Sequence, residues 1–243
     1  MADQHWADVG GIRLSYRVSG PPDAPPLVLL HALGEGADDW EAVTPALARD
    51  RRVHALDLRG HGRSDRPGAY SLELMRDDVL RFLDVLGPGP VDLVGHSMGG
   101  VVAHLLAQDR PERVGRLVLE DVSAPRPRKP TAPVRPDGDL AFDWEVVPAV
   151  RRQIDTPDPA WLEGLGAITA ETLVVAGGPG SHVPQEGVAE LARRIPGGRM
   201  VTIPVGHLVH RAAPEAFTGA VSAFLRAGEG TPPIRRARRA VQP

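Results

Sequence analysis

Short apolar runs recur along this chain at regular intervals and alternate with longer segments of helical spacing. The runs fall at residues 27–30, 53–56, 91–94, 116–119, 172–176 and 200–203. Each is too short for a buried helix and too continuous for a strand with one wet face, which suggests strands covered on both sides. The clearest intervening segments, Leu72–Leu86 and residues 98–108, 186–195 and 214–225, place apolar residues at helical spacing. Pro214-Glu215 opens the last of them with a proline that needs no hydrogen-bond partner and a glutamate that suits the helix dipole. Upstream, residues 6–9 and 12–18 flank Gly10-Gly11, the pattern of a tight hairpin. A hairpin followed by strand–helix alternation predicts an α/β fold: a mostly parallel sheet, here eight-stranded, with helices on both faces.

The alternation breaks between residues 122 and 168. Residues 125–136 are rich in proline and arginine, and an aromatic, amphipathic stretch follows with Phe142, Trp144, Val147, Val150 and Trp161. A long insertion between sheet elements is commonly functional, so a loop leading into a small helical lid is expected. The expected organisation is a core of residues 1–121 and 169–226, a lid of 122–168 and a basic, solvated tail of 227–243. The tail carries Arg235, Arg236, Arg238 and Arg239.

Composition narrows the function classes. In 243 residues, 42% are hydrophobic and 24% charged, which suffices for a core. A net charge of -3 gives no global field toward nucleic acid or an anionic membrane. No stretch approaches the roughly 20 apolar residues of a membrane helix, and no signal peptide is legible. The absence of cysteine removes thiolate and disulfide chemistry and fits a cytoplasmic location.

Gly95-His96-Ser97-Met98-Gly99 has the form G-x-S-x-G. It follows an apolar run and opens a helical segment. In that context the serine sits on a sharp strand-to-helix turn, held above the strand ends, and small residues on either side let neighbouring chain approach. The Met98 N–H, at the helix start, then faces a developing oxyanion.

These residues resemble the α/β-hydrolase superfamily, in particular its small lid-bearing serine esterases and lactonases. Three further segments carry the resemblance. Leu29 to Gly34 resembles the H-G-x-G-type loop after the third strand, with Ala32 in place of the first glycine. Asp57-Leu58-Arg59-Gly60-His61-Gly62-Arg63-Ser64 resembles the loop after the fourth strand. Pro204-Val205-Gly206-His207 resembles the catalytic-histidine loop.

The resemblance implies that Ser97 is the nucleophile and His207 its general base, in the superfamily's chain order of serine, acid, histidine. His210 is the runner-up base. The Leu33 N–H is implied as the second oxyanion donor. Relatives usually place an aspartate after the penultimate strand, but that loop here reads Gly177-Gly178-Pro179-Gly180-Ser181-His182. The acid is therefore sought at the end of the preceding strand. Neighbouring strand residues point to opposite sides, so one of the pair reaches the histidine; Asp121, the last residue of the run and nearest the carboxyl edge, is the first choice and Glu120 the alternative.

Phe142, Trp144, Trp161, His31 and His96 are candidate substrate-pocket residues. The bland alternatives are lid packing for the aromatic residues, loop shaping for His31 and packing beside the turn for His96. Glu35, Asp38 and Asp39 lack metal-site spacing and suggest turn and helix-start residues. The function implied is hydrolysis of a small ester-like substrate, whether ester, lactone or thioester, through an acyl-enzyme, with no metal or organic cofactor. The alternatives are a weakly or non-hydrolytic ligand-binding relative, motivated by the missing loop aspartate, and C–C bond hydrolysis or perhydrolysis on the same site. Oligomeric state is not legible.

Overall fold

The computed structural model describes residues 3–227. β1 (Asp3–Asp8) and β2 (Arg13–Ser19) form the expected hairpin. Gly10 and Gly11 take φ of 85° and 88°, and both N–H groups donate to Asp8 Oδ1 at 3.0 Å. Next come β3 (Pro26–Leu30), the four-residue α1 (Thr44–Leu47), β4 (Arg52–Leu56) and α2 (Leu72–Leu86). The Ser71 hydroxyl caps α2 by accepting the Leu74 N–H at 3.1 Å. The chain continues through β5 (Val91–His96), α3 (Met98–Asp109) and β6 (Val114–Glu120).

After β6 the chain is largely irregular until α4 (Val146–Asp155) and α5 (Pro159–Glu163). β7 (Glu171–Ala176), α6 (Gln185–Arg194), β8 (Gly198–Thr202), α7 (Val209–Ala212) and α8 (Pro214–Arg226) complete the described chain. Beyond Ala227 the expected tail, with its four arginines, lies outside the described residues.

The eight strands form one sheet in the order β1-β2-β4-β3-β5-β6-β7-β8. β2 pairs antiparallel with β1 and β4, and every pairing from β4 to β8 is parallel. The expected mostly parallel eight-stranded sheet is thus the observed one. Successive side chains of a strand face opposite ways. Val28 and Leu30 accordingly enter one apolar layer, with α2 and α3, while Leu27 and Leu29 enter the other, with α8. This double burial is why the central strands are continuously apolar.

β8 departs from that pattern. It starts at Gly198, because the ladder with β7 opens at the pair Thr172↔Gly198, two residues before the apolar run. As an edge strand it leaves Arg199, Met200 and Thr202 exposed.

Val146, Val150, Trp161 and Leu165 anchor α4, α5 and the short helical turn Gly164–Ala167 to the layer that holds α3. The irregular stretch before them is tied down by Asp143 N–H to Gly60 O at 2.7 Å and by the Tyr70 hydroxyl to Asp143 at 2.6 Å. Among the described residues no helix is long and apolar enough to cross a membrane.

Candidate active site

Ser97 lies between β5 and α3 with φ 50° and ψ −113°. A non-glycine residue with positive φ is strained. Among the described residues only Ser97 and Asp121 show it, at the ends of the adjacent strands β5 and β6. The turn is tight enough to dictate its glycines. A Cβ on Gly95 would lie 2.5 Å from Gly99 O, and one on Gly99 would lie 2.2 Å from Leu30 O. The Gly99 N–H donates to His31 O at 3.1 Å, which fastens the loop after β3 against the start of α3.

That attachment brings Leu33 and Met98 to one cavity, which Ser97 and His207 also line. Among the described residues neither the Leu33 nor the Met98 N–H has a hydrogen-bond partner in the protein. Both are therefore available as donors.

Two buried histidines hold the Leu33 loop from behind. His31 donates Nδ1–H to Ala32 O at 2.7 Å and accepts the Leu58 N–H on Nε2 at 3.0 Å. His61 donates to Arg59 O at 3.0 Å and accepts the Gly34 N–H at 3.2 Å. Each ring must be neutral to accept. Burial pushes both below the ordinary histidine range, His61 to about 3. The loop that follows β4 is thus a brace for the loop after β3.

His207 stands in the loop after β8, and its Nδ1 is 2.7 Å from Asp121 Oδ2. The carboxylate is fully engaged: Oδ2 also accepts the Ser181 hydroxyl, and Oδ1 accepts the Gly177 N–H at 2.9 Å and Gln185 Nε2 at 3.0 Å. Burial raises the Asp121 pKa, but the hydrogen bonds from His207, Ser181, Gln185 and Gly177 outweigh it and hold the group below the usual carboxylate range. The loop after β7 lacks a carboxylate of its own. Instead it grips the one presented by β6.

Glu120 faces the other way. Its carboxylate binds His210 through Nδ1 at 2.9 Å and the backbone N–H at 3.0 Å. His210 Nε2 reaches Asp39 Oδ1 at 3.0 Å. All three side chains are buried. Burial opposes the imidazolium, yet Asp39 and Glu120 together raise His210 to about 9, and Asp39 is held far below its ordinary range. Asp39 lies in the short helical turn Ala37–Trp40, as spacing suggests, but its side chain does more than start that turn. It is one of the two carboxylates of a buried ion-pair cluster around His210, joined from outside by Arg211. Among the described residues, Asp39, His96 and His210 bring possible metal-ligand atoms within 4.8 Å of one another. Both His210 nitrogens are occupied by carboxylates, so that ring has no lone pair for an ion.

Several expectations need correction. His96 is buried and lies off the cavity; its Nε2–H donates to His207 O at 2.9 Å and its ring packs 4.6 Å from that of His207. It positions the histidine loop. His31 is likewise buried away from the cavity and serves the brace described above. Phe142 does not line the cavity; it stacks on His61 at 5.9 Å, and the strand-like bridge between these two residues holds it there. Trp144 lies outside the lining too, in the turn that starts α4. Of the five candidate pocket residues, Trp161 alone reaches the cavity wall. His182, which sequence reasoning passed over, lines the cavity with its ring 4.2 Å from that of His207. Ser181 and Gln185 also escaped notice, since a hydroxyl and an amide carry no motif.

No hydrogen bond joins Ser97 Oγ to His207 among the described residues; the two share the wall of a cavity of about 690 Å³.

A serine on a strained strand-to-helix turn, with a histidine held by an aspartate on the same rim of a parallel sheet, defines the α/β-fold hydrolase class. The family model described as alpha/beta hydrolase fold matches residues 25–146, and the chain belongs to that family. It is 30% identical over 270 residues to the mouse (Mus musculus) sn-1-specific diacylglycerol lipase ABHD11, covering 91% of this chain and 88% of the relative. Over 112 to 114 residues it also matches longer curated proteins, of whose length it spans 31–32%. Among solved structures, the enol-lactonase from Burkholderia xenovorans LB400 aligns with a TM-score of 0.79 and 26% identity, over 91% of this chain and 99% of that one. A thermophilic esterase from Thermogutta terrifontis aligns with a TM-score of 0.75 and 25% identity, over 93% and 98%.

Proposed function

We propose that this chain is a serine hydrolase that cleaves a small carboxylic ester, lactone or thioester through an acyl-enzyme. The observation that carries the reading is the Asp121–His207 hydrogen bond of 2.7 Å on the wall of the cavity that contains Ser97. Serine alone is a weak nucleophile and needs a base whose tautomer is fixed. With Nδ1–H directed at Asp121, His207 presents the lone pair of Nε2. As Ser97 Oγ bonds to the substrate carbonyl carbon, its proton passes to His207. Hydrogen bonds of this kind tighten when substrate closes the site.

The developing oxyanion takes the free N–H groups of Leu33 and Met98. Collapse breaks the bond to the leaving oxygen or sulfur, which receives the proton from His207. Water then loses a proton to His207 as it attacks the acyl carbon, the bond to Oγ breaks, and Ser97 recovers its proton. The names of the similar proteins, a lipase, an enol-lactonase and an esterase, agree with acyl transfer to water. The non-hydrolytic alternative rested on a missing loop aspartate, and Asp121 supplies a carboxylate at the histidine. A panel of para-nitrophenyl esters, lactones and acyl thioesters tests the reading. Turnover of at least one class, abolished in Ser97→Ala, is expected; no turnover of any class contradicts it.

A further inference from the structure

Beyond Ser97 and His207 the cavity wall is built largely by the chain after β6, by α4 and by α6, and four arginines stand on it. Arg126, Arg128, Arg151 and Arg193 all line it. Their charges are not equally answered. Arg126 forms a double hydrogen bond with Glu190, at 2.8 and 2.6 Å. Arg128 gives only Nε to Asp155, at 2.6 Å. Arg151 donates Nη2 to the Thr131 hydroxyl at 2.5 Å, and among the described residues no carboxylate lies within 4.0 Å of its guanidinium. Its Nε is buried without a hydrogen-bond partner.

A buried donor on a charged group that lacks an acceptor is costly. A guanidinium fork is also shaped to take a carboxylate. Three of the four acids of the same wall are engaged elsewhere, Asp121 with His207, Glu190 with Arg126 and Glu35 with Arg211; the fourth, Glu186 in the first turn of α6, forms no ion pair among the described residues and leaves Arg151 unanswered. Burial first, then the charges of His207, Arg128 and Arg151, lower His182 below its ordinary range against the opposing pull of Asp121. Val101, Ile154, Trp161 and Val183 supply apolar surface on the same wall.

We infer that the substrate carries a carboxylate on a short apolar spacer remote from the scissile carbonyl, and that Arg151, assisted by Arg128, binds it. The inference rests on the hydrolase reading above and names the substrate class for that site. Arg151 is then a specificity-determining residue.

Para-nitrophenyl hydrogen glutarate and its neutral methyl ester form a matched pair of probes. The wild type should favour the anionic ester in kcat/KM. Arg151→Met should lower that value about 10- to 100-fold through KM, the size of one charge-assisted hydrogen bond, and leave the neutral ester unchanged. Arg151→Lys, which keeps the charge, should recover part of the preference. Calorimetric binding of both esters to Ser97→Ala should repeat the preference without turnover. If the wild type hydrolyses neither ester, the binding comparison still decides the anion site, and the wider panel of esters, lactones and thioesters decides the hydrolase reading. Equal affinity and turnover for the two esters, or an equal loss on both in a folded Arg151→Met protein, overturns the inference.

Discussion

Asp121 and Glu120 are adjacent in sequence, yet they serve different histidines for different ends. Asp121 orients His207 in the cavity wall; Glu120 holds His210 in a sealed cluster with Asp39. Their conservative variants should therefore separate. Asp121→Asn should reduce kcat by about 10³- to 10⁴-fold in a protein that still folds, as loss of the orienting carboxylate does in a serine protease. Glu120→Gln should instead destabilise the fold by about 3–5 kcal/mol, the cost of leaving a buried charge half-paired. Full turnover in Asp121→Asn would refute the triad assignment. The buried cluster also sets a pH dependence. Unfolded histidine loses its proton near 6.5, whereas His210 in the fold keeps it to about 9. The stability it contributes is thus complete below pH 6.5 and is lost as pH rises toward 9, by roughly 1–3 kcal/mol. Thermal melts across that window should show the decline in the wild type and a flat response in His210→Asn. Strand alternation said in the sequence that Asp121 and Glu120 would face different ways, and the position of Asp121 at the end of the run made it the first choice. It said nothing of Asp39, which comes from a distant loop and meets His210 only in three dimensions.

The turn at Ser97 is a single element whose geometry and sequence explain each other. Its glycines exist because Leu30 O and Gly99 O occupy the space a side chain would need. Gly99→Ala should force β3 and α3 apart, displacing the Leu33 and Met98 N–H groups together. The expected result is a folded but less stable protein with kcat down by at least about 100-fold, the usual effect of losing one oxyanion donor. Kinetics and circular dichroism on the same sample check it. This element was readable because G-x-S-x-G compresses strand, turn and helix into five residues. The pocket was not. Phe142 and Trp144 carry the aromatic character expected of a lid, but their positions depend on how the irregular stretch folds back onto the loop after β4. Nothing in local spacing encodes that path. The same limit hid Arg151, whose significance lies in the carboxylates it does not meet.

At the scale of the molecule, the sheet separates two apolar layers and gathers the strand ends at one rim. Leu29 belongs to the layer of α8, on the far side of the sheet from α3. Leu29→Ala should cost about 2–5 kcal/mol in denaturant unfolding while leaving kcat near the wild-type value. The alternation of apolar runs made this architecture legible, down to the boundaries of α2. Only the sheet edge misled, since β8 is set by pairing with β7 more than by its own hydrophobicity. The two-layer sheet is what carries residues 97, 121 and 207 to a common rim from three distant parts of the chain. The most direct measurement of that convergence is labelling by a fluorophosphonate, with the adduct located by peptide mass spectrometry. A single adduct on Ser97 is expected, formed much more slowly in His207→Ala and absent in Ser97→Ala. An unlabelled wild type, or an adduct on another residue, would contradict the account.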